Sequence, residues 1–374
     1  MVTGALGHGP GRLLRRGWLA VLGSCLAALG SSLAGAIPSS SGSAETPRLI
    51  EVRDEGRELG TSYEVAVKIS EDDRERAQGD LQAARALCAE FEARLSEWRA
   101  DSEVSEVNRL AAVRPVPISD TLRRIIEGAA EVSRLTDGAF DVTWKPLGSL
   151  WDEAEESGRW PSARRVAAAL ESVGWRKVRV GDGAVRFLEP GVKLGIAGVA
   201  KGWIIDAIFL FLRDLGYDDV IVNIGGDLRT MGGDEGNEGT RAGRRLRIAD
   251  PYSPEATAGF LEVGDAAVAT SGNYFRQRTI EGKRVGHIID PRTGYAPEFT
   301  GSVTVITRDA AMADALATAL FVLGPDEGLA LAGSIEGVEA IYTTREGLRS
   351  TLAVGVRSGE GGVALFEEGS ADGR

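Results

Sequence analysis

The chain has 374 residues, 43% of them hydrophobic and 26% charged, which is typical of a globular protein of one or two domains and excludes a disordered chain. Its formal net charge of -12 argues against nucleic acid or an anionic membrane surface as the main partner. A ligand that carries phosphate must therefore be held by local hydrogen-bond donors or by a metal ion.

The N-terminus predicts export to the periplasm or to the extracytoplasmic face of the inner membrane. Residues 1–36 begin with a positively charged segment and continue with an apolar run at 18–33. They end in Ala34-Gly35-Ala36, small residues that are typical of a signal peptide cleavage site. Residues 37–48 are rich in Ser and predict a flexible linker.

Two alternatives to simple cleavage stay open for this segment. Leu22-Gly23-Ser24-Cys25 resembles a lipoprotein box, which would attach lipid to Cys25, and Arg15-Arg16 resembles a twin-arginine start. Cleavage near Ala36 is favoured because the apolar run continues well beyond Cys25. Cys88 is then the remaining cysteine, which excludes an intramolecular disulfide, and its apolar neighbours predict a buried structural thiol.

Helices and strands are predicted in mixed order, without a regular βαβ repeat. This pattern indicates an α+β fold, with residues 49–358 as a single domain and 359–374 as a frayed tail. The predicted helices are 70–98, 119–135, 162–173, 200–215, 310–323 and 326–332. The predicted strands are 61–69, a hairpin at 177–188, 220–224, 245–248, 259–263, 266–269, 302–307, 338–342 and 348–354.

His287 is the only histidine of the predicted mature chain, and Asp290-Pro291-Arg292-Thr293-Gly294 follows it. Imidazole is the side chain that ordinarily exchanges a proton near neutral pH, so His287 is a candidate general base. The alternative interpretation is a hydrogen-bonded histidine at the end of a strand.

Asp314 and Thr318 have the i, i+4 spacing that places two side chains on one face of a helix. Carboxylate and hydroxyl oxygens are hard ligands of the kind that Mg²⁺ takes. The alternative interpretation is a carboxylate near a helix N-terminus and a buried threonine.

Glycine-rich turns occur before a predicted helix, at Gly198-Val199-Ala200-Lys201-Gly202, and after a predicted strand, at Asn223-Ile224-Gly225-Gly226-Asp227. Helix N-termini favour phosphate, and glycine permits close approach of a ligand to the backbone. Tight turn geometry alone explains the same glycines.

A series of short stretches, in one order, resembles the signatures of a known family. They are Leu59-Gly60-Thr61, residues 95–108, Ala139-Phe140-Asp141-Val142-Thr143, the two glycine-rich turns, residues 269–274 ending in Tyr274, residues 287–294 and residues 314–320. Together they resemble the ApbE family, the FAD:protein FMN transferases, over about residues 59–324.

The resemblance implies one compact catalytic domain of mixed β-sheets and packed helices. It also implies transfer of the FMN moiety of FAD, through a phosphoester bond, onto a Ser or Thr hydroxyl of a flavoprotein in a membrane redox complex, with release of AMP. His287 would be catalytic, and Mg²⁺ would bind Asp314, Thr318 and the backbone carbonyl near Gly198. The FAD-binding residues that it implies are Thr61, Trp98, Ser102, Glu103, Asp141, Thr143, Lys201, Ile288 and Arg292.

The chain departs from the family pattern at two places. Gly195 stands where the family usually has Asp, and Trp144-Lys145 stands where it usually has a small apolar residue and Gly. These departures weakly favour a non-catalytic FAD-binding protein, whereas the presence of His287, Asp314 and Thr318 favours an enzyme. Mg²⁺-dependent hydrolysis of FAD to FMN and AMP is a further alternative, because water could replace the acceptor hydroxyl in the same site.

Overall fold

The computed structural model describes residues 48–235, 241–273, 277–353 and 363–367. The predicted signal peptide at 1–36 with Cys25, the linker up to residue 47, Tyr274 and most of the predicted tail lie outside these ranges. The predictions for those segments therefore stay predictions.

Helices and strands alternate irregularly along the described chain. The helices are α1 (Arg74–Leu95), α2 (Glu103–Leu110), α3 (Asp120–Leu135), α4 (Lys145–Ser157), α5 (Ala163–Leu170), α6 (Ala197–Asp214) and α7 (Ala310–Ser334). The strands are β1 (Leu49–Glu58), β2 (Thr61–Ser70), β3 (Val116–Pro117), β4 (Val178–Gly181), β5 (Ala184–Phe187), β6 (Val220–Ile224), β7 (Asp227–Met231), β8 (Asp234–Glu235), β9 (Arg241–Asp250), β10 (Ser253–Val263), β11 (Ala266–Gly272), β12 (Gln277–Ile280), β13 (Lys283–Gly286), β14 (Ser302–Thr307), β15 (Glu339–Thr344), β16 (Gly347–Ser350) and β17 (Ala364–Glu367).

The main sheet has eight strands in the order β1-β2-β6-β7-β11-β14-β15-β16, and each neighbouring pair is antiparallel. A smaller sheet has the order β17-β10-β9-β8. Short antiparallel sheets are formed by β3-β5-β4 and by β12-β13. Antiparallel sheets with segregated helices confirm the predicted α+β fold.

Helices cover one face of the main sheet and the smaller sheet covers part of the other. On the helical face, α1 and α6 pack through Leu81, Cys88 and Phe209 against β2 and β6. On the opposite face, Leu261 and Leu365 of the smaller sheet pack against strands of the main sheet. The predicted burial of Cys88 is confirmed, and burial raises the pKa of its thiol to about 12, so it stays protonated at neutral pH.

The helix α7 is, in the part of the chain that the structure describes, long and apolar enough to cross a membrane by composition alone. Its side chains instead fill the core, where Leu316, Leu320 and Phe321 are completely buried. The helix is interrupted at Gly324, which has φ of 76° and is followed by Pro325, and this break agrees with the prediction of two separate helices there.

Several predicted elements differ from the structure. The first helix does not begin at Ser70, because a 3₁₀ turn at Glu71–Asp73 precedes it. The 359–374 segment is not frayed throughout, since β17 pairs with β10 and Leu365 is buried between the sheets. The structure also contains β1, α4 and the β12-β13 hairpin, which the sequence pattern did not predict.

A side chain at position 202 should destabilise the packing of α6 against α7. A Cβ there would overlap the carbonyl oxygen of Ala310 and lie 2.7 Å from the Cα of Ala311, and backbone atoms cannot rotate away. Gly202→Ala should therefore lower the free energy of unfolding by about 1–3 kcal/mol. Gly79→Ala is the control, because Gly79 in α1 has open space, and should raise it by about 0.5–1 kcal/mol. Urea unfolding measures both, and equal effects would contradict this interpretation.

Asp309 should make stability depend on pH. Burial and the nearby Asp206 raise its pKa to about 6, although Arg229, whose guanidinium lies 3.5 Å away, opposes the rise. A carboxyl whose pKa is raised on folding loses stability as pH increases from about 4 to about 6. Asp309→Asn should thus raise the Tm at pH 7.5 by roughly 2–6 °C and have little effect at pH 4. Calorimetry at both pH values tests this, and a gain of equal size at both would contradict it.

Candidate functional site

A cavity of about 690 Å³ lies where the N-terminal halves of α6 and α7 meet the turn between β6 and β7 and the ends of β2 and β11. Its wall brings together segments that are far apart in the sequence. The predicted site residues on this wall are Thr61, Trp98, Asp141, Gly198, Lys201, His287, Ile288, Asp314 and Thr318.

One side of the cavity contains two buried carboxylates that share an ammonium group. Lys201, in the first turns of α6, forms an ion pair with Asp227, and its Nζ lies 3.8 Å from Oδ1 of Asp314. Each carboxylate also accepts a backbone hydrogen bond, Asp227 from Thr270 at 3.0 Å and Asp314 from Gly202 at 3.0 Å. Two negative charges therefore face one positive charge in a buried place, which favours a further cation there.

The predicted metal ligands lie beside this charge cluster. Asp314 and Thr318 are both on the cavity wall, one turn apart on α7. The backbone of Gly198 approaches the threonine closely, since a Cβ on Gly198 would lie 3.4 Å from Oγ1 of Thr318. The described residues contain no group of three or more His, Cys, Asp or Glu that could hold a metal. The oxygens of Asp314, Thr318 and the Gly198 backbone are hard ligands that fit Mg²⁺, which keeps several waters or substrate oxygens in its coordination shell.

His287 lies on the wall of the same cavity, directly after β13. The turn that follows it is fixed by contacts that do not involve the imidazole. Asp290 accepts hydrogen bonds from the backbone of Arg292 at 2.8 Å and from its Nε at 3.0 Å, and Trp151 donates to the carbonyl of Gly294 at 2.9 Å. These hydrogen bonds therefore fix the backbone next to His287.

Aromatic side chains line another part of the cavity. Trp98 is 75% exposed although it belongs to the wall, so its ring surface is open to a ligand. Phe140 and Trp144 also line the cavity. The ammonium of Lys145 lies 5.2 Å from the centre of the Trp98 ring, which is a cation-π distance.

Four predicted FAD contacts do not reach this cavity. Ser102 caps α2 by accepting a hydrogen bond from Ser105, and Glu103 accepts from the hydroxyl of Ser119 at 2.8 Å. The hydroxyl of Thr143 donates to Asp141 at 2.6 Å and accepts from the backbone of Gly174 at 2.7 Å. Arg292 lines a separate cavity of about 180 Å³. In this structure these side chains support the walls, and their contact with FAD stays a prediction.

Asp141 lies on the cavity wall, but its carboxylate is already bonded. It accepts from the backbone of Thr143 at 2.8 Å and from the backbone of Trp175 at 2.7 Å. Burial raises its pKa above the ordinary value, and the hydrogen bonds from Thr143 and Trp175 oppose that rise. Its present contacts hold two loops together.

Asp227 and Trp144 lie on the cavity wall but were not among the predicted site residues. Asp227 ends a glycine-rich turn that resembles a family signature, but the prediction gave its carboxylate no role, although a carboxylate directly after Gly225-Gly226 was an available signal. Trp144 was noticed only as a departure from the family pattern. Its contact partner is far away in the sequence, so no local signal could reveal its place.

Comparison with known proteins adds independent findings. The sequence model of the ApbE family matches residues 59–342. A curated FAD:protein FMN transferase of Klebsiella pneumoniae (strain 342) is 32% identical over 262 residues, which cover 69% of this chain and 80% of that protein. One from Vibrio cholerae is 31% identical over 249 residues, covering 66% of this chain and 74% of that protein.

Solved structures resemble the fold over most of its length. The flavin transferase ApbE from Vibrio cholerae has a TM-score of 0.68 and 27% sequence identity, covering 81% of this chain and 97% of that one. The crystal structure of the ApbE protein from Thermotoga maritima has a TM-score of 0.70 and 28% identity, covering 81% and 96%.

Proposed function

This chain belongs to the ApbE family, and we propose that it transfers the FMN moiety of FAD onto a hydroxyl group of an acceptor flavoprotein and releases AMP. The observation that carries the proposal is the composition of a single cavity. The exposed Trp98, the acid and hydroxyl residues Asp314 and Thr318 on one helical face, Lys201 and His287 all line it. These are the groups that binding and splitting a flavin dinucleotide require.

The reaction replaces the phosphoanhydride bond of FAD with a phosphoester bond to the acceptor. The acceptor hydroxyl oxygen bonds to the phosphorus of the FMN half, and the bond from that phosphorus to the bridging oxygen of the pyrophosphate breaks. AMP leaves with the bridging oxygen, and the acceptor loses its hydroxyl proton. His287 takes this proton, because a Ser or Thr hydroxyl is a weak nucleophile near neutral pH without a base.

The charges of the pyrophosphate are met by groups on α6 and α7. Asp314, Thr318 and the backbone carbonyl of Gly198 would hold Mg²⁺, which when bound neutralises phosphate charge as the leaving group departs. Lys201 lies next to the same carboxylates and supplies a second positive charge. Gly198, in the first turn of α6, lies on the cavity wall, where the positive end of the helix dipole favours phosphate oxygens.

Two other functions use the same residues. Water in place of the acceptor hydroxyl would make the protein an FAD hydrolase that yields FMN and AMP. A protein that binds FAD without reaction would keep the cavity but leave FAD intact.

One experiment separates the three. The purified protein is mixed with FAD, Mg²⁺ and an acceptor domain that the Vibrio cholerae flavin transferase modifies, and all products are weighed by mass spectrometry. We expect AMP and FMN-modified acceptor in equal amounts. Free FMN with AMP would instead indicate a hydrolase, and unchanged FAD would indicate a binding protein.

The N-terminal sequence supports a proposal about the cellular site of action. We propose that residues 1–36 direct export, so that the acceptor is a periplasmic or membrane redox protein with a Ser or Thr flavinylation site. Mass spectrometry of the exported chain tests this. A chain that begins after Ala36 supports soluble export, and a lipid on Cys25 supports anchoring.

A further inference from the structure

The two places where the chain departs from the family pattern contact each other, and one of them, Trp144, lies on the cavity wall. The indole Nε1 of Trp144 donates a hydrogen bond to the backbone carbonyl of Gly195 at 3.0 Å. A Cβ on Gly195 would lie 2.7 Å from Nε1 and 3.2 Å from Cδ1 of the same ring. The indole therefore occupies the space that any side chain at position 195 would need.

A second glycine, Gly148, packs against the other side of the Trp144 indole. A Cβ on Gly148, in the first turns of α4, would lie 2.6 Å from Cζ3 and 3.0 Å from Cη2 of Trp144. Neither Gly148 nor Gly195 has a positive φ, so the backbone would accept alanine at both positions. Glycine within a helix ordinarily costs about 1 kcal/mol relative to alanine. The indole is thus the feature that requires glycine on both of its sides.

Lys145 connects the same wall to the start of α6. Its Nζ forms an ion pair with Oε2 of Glu97 at 2.9 Å, and Oε1 of Glu97 accepts the backbone N–H of Ala197 at 2.8 Å. The ammonium group of Lys145 also packs against the ring of Trp98, the residue after Glu97. The two segments that carry Trp98 and Trp144 are therefore linked to each other and to Ala197, which directly precedes Gly198.

We propose that Trp144 is a binding residue of the flavin site, which with Trp98 contacts the isoalloxazine ring of FAD, and that positions 148 and 195 are glycine because the indole packs directly against both. The inference rests on the proposed function, which makes FAD the ligand. Isoalloxazine has three fused rings and adenine two, so the larger ring needs the larger aromatic surface. The part of the cavity wall with Trp98, Phe140 and Trp144 offers that surface.

A double-mutant cycle tests the seat of the indole. FAD binding is measured by calorimetry without acceptor or Mg²⁺, together with the Tm of each variant. Trp144→Ala and Gly195→Ala should each weaken FAD binding roughly three- to tenfold, the first by removing the ring and the second by displacing it. The double variant should bind FAD no more weakly than Trp144→Ala alone, because the added methyl group then has nothing to displace. Additive losses would overturn the proposal.

Separate ligands identify the ring that Trp144 contacts. Trp144→Ala should weaken FMN binding by about the same factor as FAD binding and leave AMP binding unchanged. Weaker AMP binding with unchanged FMN binding would overturn the proposal, as would losses that match those of Trp160→Ala, a tryptophan substitution outside the cavity. If the parent binds FAD and FMN but transfers nothing, the transferase proposal fails and this one stands. A parent that binds neither overturns both.

Discussion

Asp314→Asn should reduce FMN transfer by roughly 10²-fold or more and remove its dependence on Mg²⁺. The carboxylate lies 3.8 Å from the ammonium of Lys201 and is buried beside the carboxylate of Asp227. Asparagine keeps the size of the side chain and an oxygen that can accept the hydrogen bond from Gly202, so the fold should be preserved. Removing the charge weakens the site for a divalent cation, because hard cations rely on anionic oxygen ligands.

A readout besides activity separates lost metal binding from lost folding. In the presence of ADP, added Mg²⁺ should raise the Tm of the parent, since a ligand that binds the folded state stabilises it. The Asn variant should unfold near the parent's Mg²⁺-free temperature and show no such rise. Asp152→Asn is the control, because Asp152 is an exposed carboxylate that pairs with Arg278 outside the cavity. Undiminished transfer by Asp314→Asn in Mg²⁺ would contradict the metal assignment.

Local periodicity explains which parts of the site could be predicted. Asp314 and Thr318 share a cavity wall because a helix repeats every 3.6 residues, so their relation depends on the helix alone. Gly198 and Lys201 are three residues apart at the start of α6, so the helical repeat likewise places them on the same cavity wall. The caps of α3 and α5 were also readable, since Ser119 and Ser162 each accept the backbone hydrogen bond that their position before a helix predicts.

Relations between distant segments could not be predicted. Trp144 and Gly195 are 51 residues apart. Only the folded chain shows that the indole of Trp144 occupies the space that a side chain at position 195 would fill. Thr143 belongs to the same short stretch as Asp141, yet it does not line the cavity, because its hydroxyl is bonded to Asp141 and to the backbone of Gly174. A motif indicates that a segment is near a ligand, whereas the direction of each side chain depends on tertiary contacts.

The missed elements have physical reasons too. The helix α4 begins at Lys145-Pro146 and ends before Gly158, whose φ of 65° forms a left-handed cap, so both boundaries carried a recognisable signal. Its start follows the motif of residues 139–143 closely, and the sequence pattern assigned no helix to residues 145–157. The strand β17 has only four residues, and glycines flank it in the sequence. It is stable because it pairs with β10 and because Leu365 packs in a buried hydrophobic cluster.

His287→Asn should slow FMN transfer by about 10²–10⁴-fold while FAD affinity stays within a few-fold of the parent. His287 lies on the cavity wall, and the backbone around it is held by Asp290, Arg292 and Trp151 through contacts that the substitution leaves in place. Asparagine keeps hydrogen-bonding capacity but cannot accept a proton near neutral pH. The parent rate should therefore rise with pH and then level off, as for a base that must be deprotonated, and the variant should lose that rise.

The competing interpretation is that His287 only supports the loop. It predicts a lower Tm and weaker FAD binding in proportion to the lost rate, with the pH dependence of the remaining activity unchanged. Tyr295→Phe is the matched control, because Tyr295 belongs to the same turn, is partly exposed and lies outside the cavity. It should transfer FMN at the parent rate. If His287→Asn also transfers at that rate, or fails only because it no longer binds FAD, the imidazole is not the base, and the acceptor hydroxyl must lose its proton to another group on the cavity wall.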